Sequence, residues 1–264
     1  MSEIASSERD YTTELSKGQG AITETLTLLE YWEPGMRTDE LTERVMEAGG
    51  LGRSSAVRTR DLITRVFARR YLVDNSRPAR VLKFLQDQVS LSTLKQFMLV
   101  YTARQHDILH DFITDVYWPK YEAGADRIGR PDARSFIEEA HAMGVIDPGW
   151  SETMIVRVAR YLVGTLGDFG LLEEGRKSTR EIRPFYVDDM LVTYLAYEIH
   201  FDGYSDTSIL EHPDWGLFGL MREDVYRHLE QASYDGHFIV QYSGELLRIS
   251  WKYESLDECL HAIP

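Results

Sequence analysis

One cysteine, Cys259, in 264 residues excludes an internal disulfide, and a reducing, cytoplasmic setting is expected. Long apolar runs are missing as well. The longest stretch without Asp, Glu, Lys or Arg is nine residues, Gly236 to Gly244, far below the roughly 20 that a membrane-spanning helix needs. A soluble protein without a membrane partner is expected. The first residues, MSEIASSERD, have neither the basic start nor the apolar run of a secretory signal. Marks of chemistry are equally scarce. There is no P-loop, no glycine-rich dinucleotide turn after a strand and no nucleophile elbow. GTLGDFG, 164 to 170, ends a helix instead of following a strand. His106 and His110 in HDILHD stand one helical turn apart, but no Glu follows the first as in zinc proteases, and the other six histidines are scattered. Nothing near Cys259 would activate a thiol. The expectation is a protein that is not an enzyme, with no catalytic residues, no metal and no cofactor.

What the chain does have is an uneven charge. The net value of -14 is no argument against nucleic acid, because that contact needs a local basic surface and not a basic total. Residues 1 to 52 carry four Lys or Arg against eleven Asp or Glu, and residues 185 to 264 carry four against fifteen. The segment between them is left at +4, and its positive charge is mostly arginine.

The densest basic stretch is GLGRSSAVRTRDLITRVFARRYL, 50 to 72. Before it, GAITETLTLLEYW places Ile22, Leu26 and Leu29 at helical spacing, and EPGMR stops that helix. TDELTERVMEAGG then reads as a second helix. Thr38 is its N-cap, Asp39 and Glu40 suit the positive end, Leu41, Val45 and Met46 form the apolar stripe, and Gly49-Gly50 stops it. Helix, glycine turn and arginine-rich helix outline a helix-turn-helix. At 100 degrees per residue, Arg65 and Arg69 each fall within about 20 degrees of Arg58, while Leu62, Ile63, Val66 and Phe67 take the flank from about 40 to 180 degrees. Arg53, Arg60, Arg77 and Arg80 extend this basic region. A solvated helix face pairing with acidic neighbours is the competing reading. Residues 79 to 122 read as helical throughout and as scaffold.

GADRIGRPD marks a boundary, after which a second ordered module begins. It has a helix near 131 to 143 with Phe136, Ile137 and Ala140 inward, the turn GVIDPGW, and a helix from the N-cap Ser151 to about Phe169. The strand candidates LLEE and TREIRPF follow, separated by Gly-Arg-Lys-Ser. That order describes a winged helix. Ile155, Val158, Leu162, Leu166 and Phe169 make the buried stripe, Arg157 and Arg160 take another face, and Arg176, Lys177, Arg180 and Arg183 load the hairpin with cations. In the acidic C-terminal region, helices are expected at DDMLVTYLAYEIH and REDVYRHLEQA. A hairpin turns at Ser243-Gly244, with Leu247, Ile249, Trp251 and Tyr253 alternating against Arg248, Ser250 and Lys252. At -11 this region repels phosphate and reads as protein-facing or structural.

Four stretches, SKGQGAITETLTLLEYW, RSSAVRTRDLITRVFARRY, QFMLVYTARQHDILHDFITDVYWPKY and WSETMIVRVARYLVGTLGDFGLLEEGRKSTREIRPF, together resemble the BrxA family of the BREX bacteriophage-exclusion systems, also catalogued as a domain of unknown function numbered 1819. The likeness runs from about Tyr11 to about Tyr186. It implies a non-enzymatic, DNA-binding accessory protein encoded with a methyltransferase, an ATPase and a phosphatase-like partner, and used against phage. Some members carry an inner-membrane label, which the missing apolar run argues against. An older comparison with a helical RNA-binding antitermination factor fits the helical half and not the wing.

The expected fold class is mainly α, with helix-turn-helix and winged-helix modules in a helical scaffold and small β-hairpins. The expected domains are 1-122, a helical domain with the helix-turn-helix; 123-187, the winged helix; and 188-264, an acidic α+β domain. The expected contacts to duplex DNA are Arg53, Arg58, Arg60, Arg65 and Arg69 from the first module, and Arg157, Arg160, Arg176, Lys177 and Arg180 from the second. Arginine suits such contacts because its planar fork grips phosphate or guanine at two points and stays charged when partly desolvated. Other BREX proteins are the expected protein partners. Two alternatives stay open: RNA binding, with tyrosines such as Tyr71 and Tyr101 for stacking, and a protein-only assembly factor of the defence complex.

Overall fold

In the computed structural model, which describes residues 9–52, 54–146, 148–243 and 246–264, the chain is mainly helical with two small antiparallel strand pairs. It divides into two units, Met1–Gln86 with Met98–Phe185 and Asp87–Phe97 with Tyr186–Pro264.

The first unit opens with helix α1 (Ile22–Tyr31) and helix α2 (Thr38–Ala48). Thr38 is the first helical residue of α2 and not its cap. The cap position falls to Arg37, whose N–H donates to the Glu40 carboxylate at 3.1 Å, so the acidic first turn does the work assigned to threonine. Leu41 and Val45 are buried, but Met46 stays exposed. Gly49 ends the helix with φ +64, a left-handed conformation that favours glycine, and Gly50 N–H closes the turn on Val45 O at 3.0 Å. Helix α3 then runs over 56–71. It is built from Ala56–Asp61, a π segment Leu62–Phe67 and Ala68–Tyr71. Ser55 Oγ accepts from Arg58 N–H at 3.2 Å to start it. Leu62, Ile63, Val66 and Phe67 are all buried, as their spacing requires. The π segment bonds i to i+5 and so inserts one residue into the winding, turning everything after it by about 100°. The regular stacking of Arg58, Arg65 and Arg69 is therefore broken.

The continuous helix expected over 79–122 is three helices: α4 (Arg77–Leu85), α5 (Leu91–Ala103) and α6, which spans 107–122 with a second π segment at Ile113–Tyr117. The first break is made by Ser90, whose Oγ accepts from Thr93 N–H at 3.1 Å and caps α5. A serine offers the backbone that alternative wherever a helix is ready to start. The second break is centred on His106, which has non-helical φ of -144 and precedes α6 as its cap residue.

Strand β1 (Arg127–Gly129), helix α7 (Arg130–Ala142), helix α8 (Glu152–Asp168) and strand β2 (Thr179–Glu181) complete the first unit. Ser151 caps α8 by accepting Met154 N–H, and Ile155, Val158, Leu162, Leu166 and Phe169 are buried as their stripe predicts. The ribbon differs from expectation. LLEE contributes one bridge, Leu172 to Ile182, while the boundary loop supplies β1, which pairs antiparallel with β2 from Arg127↔Glu181 to Gly129↔Thr179. Glu173 N–H to Glu181 O at 2.8 Å and Arg183 N–H to Leu171 O at 3.0 Å hold the other edge. The return strand thus lies between two neighbours. Gly129 permits this approach, since a Cβ there would sit 2.6 Å from Ser178 O.

The second unit contains α9 (Asp189–Phe201), α10 (Asp206–Ile209), α11 (Arg222–Tyr234), β3 (Phe238–Ser243), β4 (Leu246–Trp251) and α12 (Leu256–Ala262). The start of α5 joins it: Thr93 Oγ1 donates to Asp188 at 2.7 Å, and Gln96 bonds the backbone of Tyr186 and Asp188. β3 and β4 pair from Phe238↔Trp251 to Ser243↔Leu246; Gly244 of the expected turn lies outside the described residues. Leu247, Ile249 and Tyr253 are buried as the alternation requires. Tyr197 is the hub of this core. Its hydroxyl donates to His237 O at 2.6 Å and accepts from the N–H groups of Lys252 at 3.0 Å and Tyr253 at 3.3 Å. Cys259 is buried, which pushes its thiol up to about 12. Among the described residues, no helix is long and apolar enough to cross a membrane.

Candidate nucleic-acid interface

On α3, Arg58, Arg60, Arg65 and Arg69 are exposed. Arg53 lies outside the described residues. Arg65 Nε is 3.4 Å from Asp61 and Arg69 Nη1 is 3.1 Å from Glu14. Exposed pairs of this kind contribute no more than about 1 kcal/mol, so a phosphate can displace them. Of the flanking arginines, Arg77 is held by Asp74 at 2.7 Å, while Arg80 is exposed.

The last arginine pair of α3 splits. Arg69 faces outward, while Arg70 is 1% exposed, with Nη1 donating to Gly20 O at 3.4 Å. Burial lowers the Arg70 pKa below the usual arginine value, opposed by its contact with Tyr71 and by Asp168. His106 is buried beside it. Desolvation, and then the positive charges of Arg70 and Arg69, hold its imidazole down to about 3, so it stays neutral. His110 instead sits 3.1 Å from Asp111, and Asp111 also receives Arg9 and, at 2.7 Å, the Tyr11 hydroxyl. HDILHD therefore ties down the start of the described chain. No group of three His, Cys, Asp or Glu that could hold a metal occurs among the described residues.

On the second surface, Arg157 and Arg160 are exposed along the first half of α8, the guanidinium of Arg160 lying 5.0 Å from the centre of the Tyr161 ring. Arg176 and Lys177 are exposed in the turn before β2, with Lys177 loosely paired to Glu173 at 3.5 Å. Arg183 is exposed beyond the strand. Arg180 does not belong with them. It is 8% exposed, and its guanidinium lies against α8 so closely that a Cβ on Gly167 would be 2.3 Å from Nη1. Strand alternation explains the difference: Arg180 pairs with buried Ile128 and points to the same side, while Thr179 and Glu181 point away. Arg180 braces the turn from beneath. Arg130, which the sequence reading passed over, supports the same turn from outside by donating to Arg176 O at 3.1 Å.

Tyr71 and Tyr101 are buried. The stacking surface that an RNA-binding reading drew from them is therefore absent at those two positions.

A model of the BrxA family matches residues 9–198 of the chain. The fold is similar to a solved structure described as an uncharacterized protein from Magnetospirillum magneticum, with a TM-score of 0.58 at 14% identity over 72% of this chain and 94% of that one. At that identity the likeness concerns the fold alone. Among curated proteins there is no match.

Proposed function

Because the chain belongs to the BrxA family, and with it to the setting of BREX phage defence, we propose that it acts without catalysis, binding duplex DNA through its arginines and docking other proteins of the defence system. The order from β1 to β2 is read as a winged helix and the order from α2 to α3 as a helix-turn-helix. The observation that carries the proposal is α8: a serine-capped helix, buried on one stripe, that presents Arg157 and Arg160 beside a turn bearing Arg176 and Lys177. A helix presented to a groove with a basic turn beside it fits a duplex, whose phosphates are positioned by just such cations. Nothing among these side chains spells a base code, so binding of weak sequence preference follows.

The test is fluorescence anisotropy with a random-sequence duplex at two salt concentrations. Each lost phosphate contact flattens the log-log salt slope by about 0.9. The wild type should bind with a steep slope, and the variants Arg157→Ala/Arg160→Ala/Arg176→Ala and Arg58→Ala/Arg65→Ala/Arg69→Ala should bind with shallower ones. Failure of the wild type to bind at low salt would assign the arginines to a protein partner instead.

A further inference from the structure

The two arginine surfaces meet at a seam. With Arg157 of α8 taken as zero and about 100° added per residue, Arg160 falls at about -60°, Gly164 at about -20° and Asp168 at about +20°. The arginine face thus continues down the helix, reaching Gly164 after about 10 Å. There it is covered by the segment before α1. Gln19 packs on Gly164, where a Cβ would be 2.7 Å from Gln19 Oε1, and Gly20 N–H donates to Asp168 Oδ2 at 2.9 Å.

The same segment holds the end of α3. Glu14 pairs with Arg69 at 3.1 Å, and Gly20 O accepts from Arg70 at 3.4 Å. Residues 14–20 are therefore a strip with the open arginine face of α8 on one side and the last turn of α3 on the other. The strip has no slack. A Cβ on Gly18 would lie 2.8 Å from Val66 Cγ2, and one on Gly20 would lie 2.5 Å from Asp168 Cβ. Backbone packed this closely fixes the spacing between the helices it joins.

We infer that Arg157 and Arg160 form one composite surface with Arg65 and Arg69, bridged across this strip by a single duplex, and that they are not two separate DNA sites. The inference rests on the DNA-binding reading above. It adds that the seam through Gly20 and Asp168 sets the register between the two arginine pairs.

The test uses the full-length protein and a duplex of about 20 base pairs, two helical turns. Stoichiometric titration at low salt is combined with salt-dependence measurements on wild type, Arg157→Ala/Arg160→Ala, Arg65→Ala/Arg69→Ala and the fourfold variant. Of these changes Arg69→Ala removes one seam contact, the pair with Glu14, while the bonds of Gly20 to Asp168 and to Arg70 remain. The composite surface requires no more than one duplex per chain, a slope flattened by about 1.8 for either pair and by about 3.6 for all four in one transition. Two duplexes per chain, or a slope insensitive to one of the pairs, overturns it while leaving DNA binding standing. No binding by wild type overturns the DNA reading and this inference together. As a second variant, Gly20→Ala, with all arginines present, should weaken binding about tenfold; binding equal to wild type by a folded Gly20→Ala protein shows that the seam does not set the register.

Discussion

The segment from 53 to 184 and the region from 185 to 264 are built alike and charged oppositely. Each combines helices with one short antiparallel ribbon. Yet the first carries +4, with arginines standing on α8 and on the turn before β2, and the second carries -11. Their ribbons are finished differently. β2 is flanked on both sides by strand backbone, whereas β4 is closed at its outer edge by Asp206, which accepts from Ile249 N–H at 2.9 Å and Trp251 Nε1 at 3.2 Å. A carboxylate there blocks strand addition and adds to the negative field. Architecture of this kind therefore does not indicate a partner; the sign of the exposed charge does.

The contrast is tested most strongly by charge. Replacing Arg157, Arg160 and Arg176 with Ala should lower duplex affinity about 100-fold at low salt, measured by anisotropy. Replacing Glu223, Glu230 and Glu254 with Gln should change it by no more than about threefold. Equal losses from both sets would erase the distinction.

A second effect is strongest in the first region, although burial also lowers the imidazoles of His200 and His237 in the second. The pKa of His106 is about 3 in the fold and about 6.5 in an unfolded chain. Between these values the unfolded state binds more protons, so stability falls as pH drops below about 6.5. The loss reaches about 2 kcal/mol by pH 5. Urea melts at pH 7 and pH 5 should show this loss in wild type and a flatter response in His106→Gln. An unchanged response would mean that the imidazole is not held neutral.

Tyr197→Phe sharpens the comparison from the other side. It deprives the N–H groups of Lys252 and Tyr253 of their shared acceptor and should cost about 1.5 kcal/mol of stability, read by denaturant melts. Duplex affinity should stay unchanged. The smallest effect expected is that of Ser151→Ala, which removes the cap of α8 at a cost of about 1 kcal/mol, again by melts.

Much of this was legible from local pattern. The stripe Ile155, Val158, Leu162, Leu166 and Phe169, the cap Ser151 and the alternation of Leu247 and Ile249 follow from helix and strand periods that act within a few residues. Other features were not. Arg180 reads in sequence like Arg176, four residues earlier, and strand pairing alone turns it inward. Arg70 is indistinguishable from Arg69 until the end of α3 packs on Gly20. β1 was hidden because three residues, Arg127 to Gly129, have no period of their own and become a strand only when β2 arrives.

By itself the sequence determined the helical class, the order of elements and the division of charge, because propensity, capping and composition are properties of neighbouring residues. It also carried the family's pattern. The tertiary structure decided which arginines face outward, which histidine is buried beside them, and that residues 14–20 join α3 to α8. Those outcomes depend on desolvation and close packing between segments about 150 residues apart, such as Gly20 and Asp168, and no local pattern encodes them.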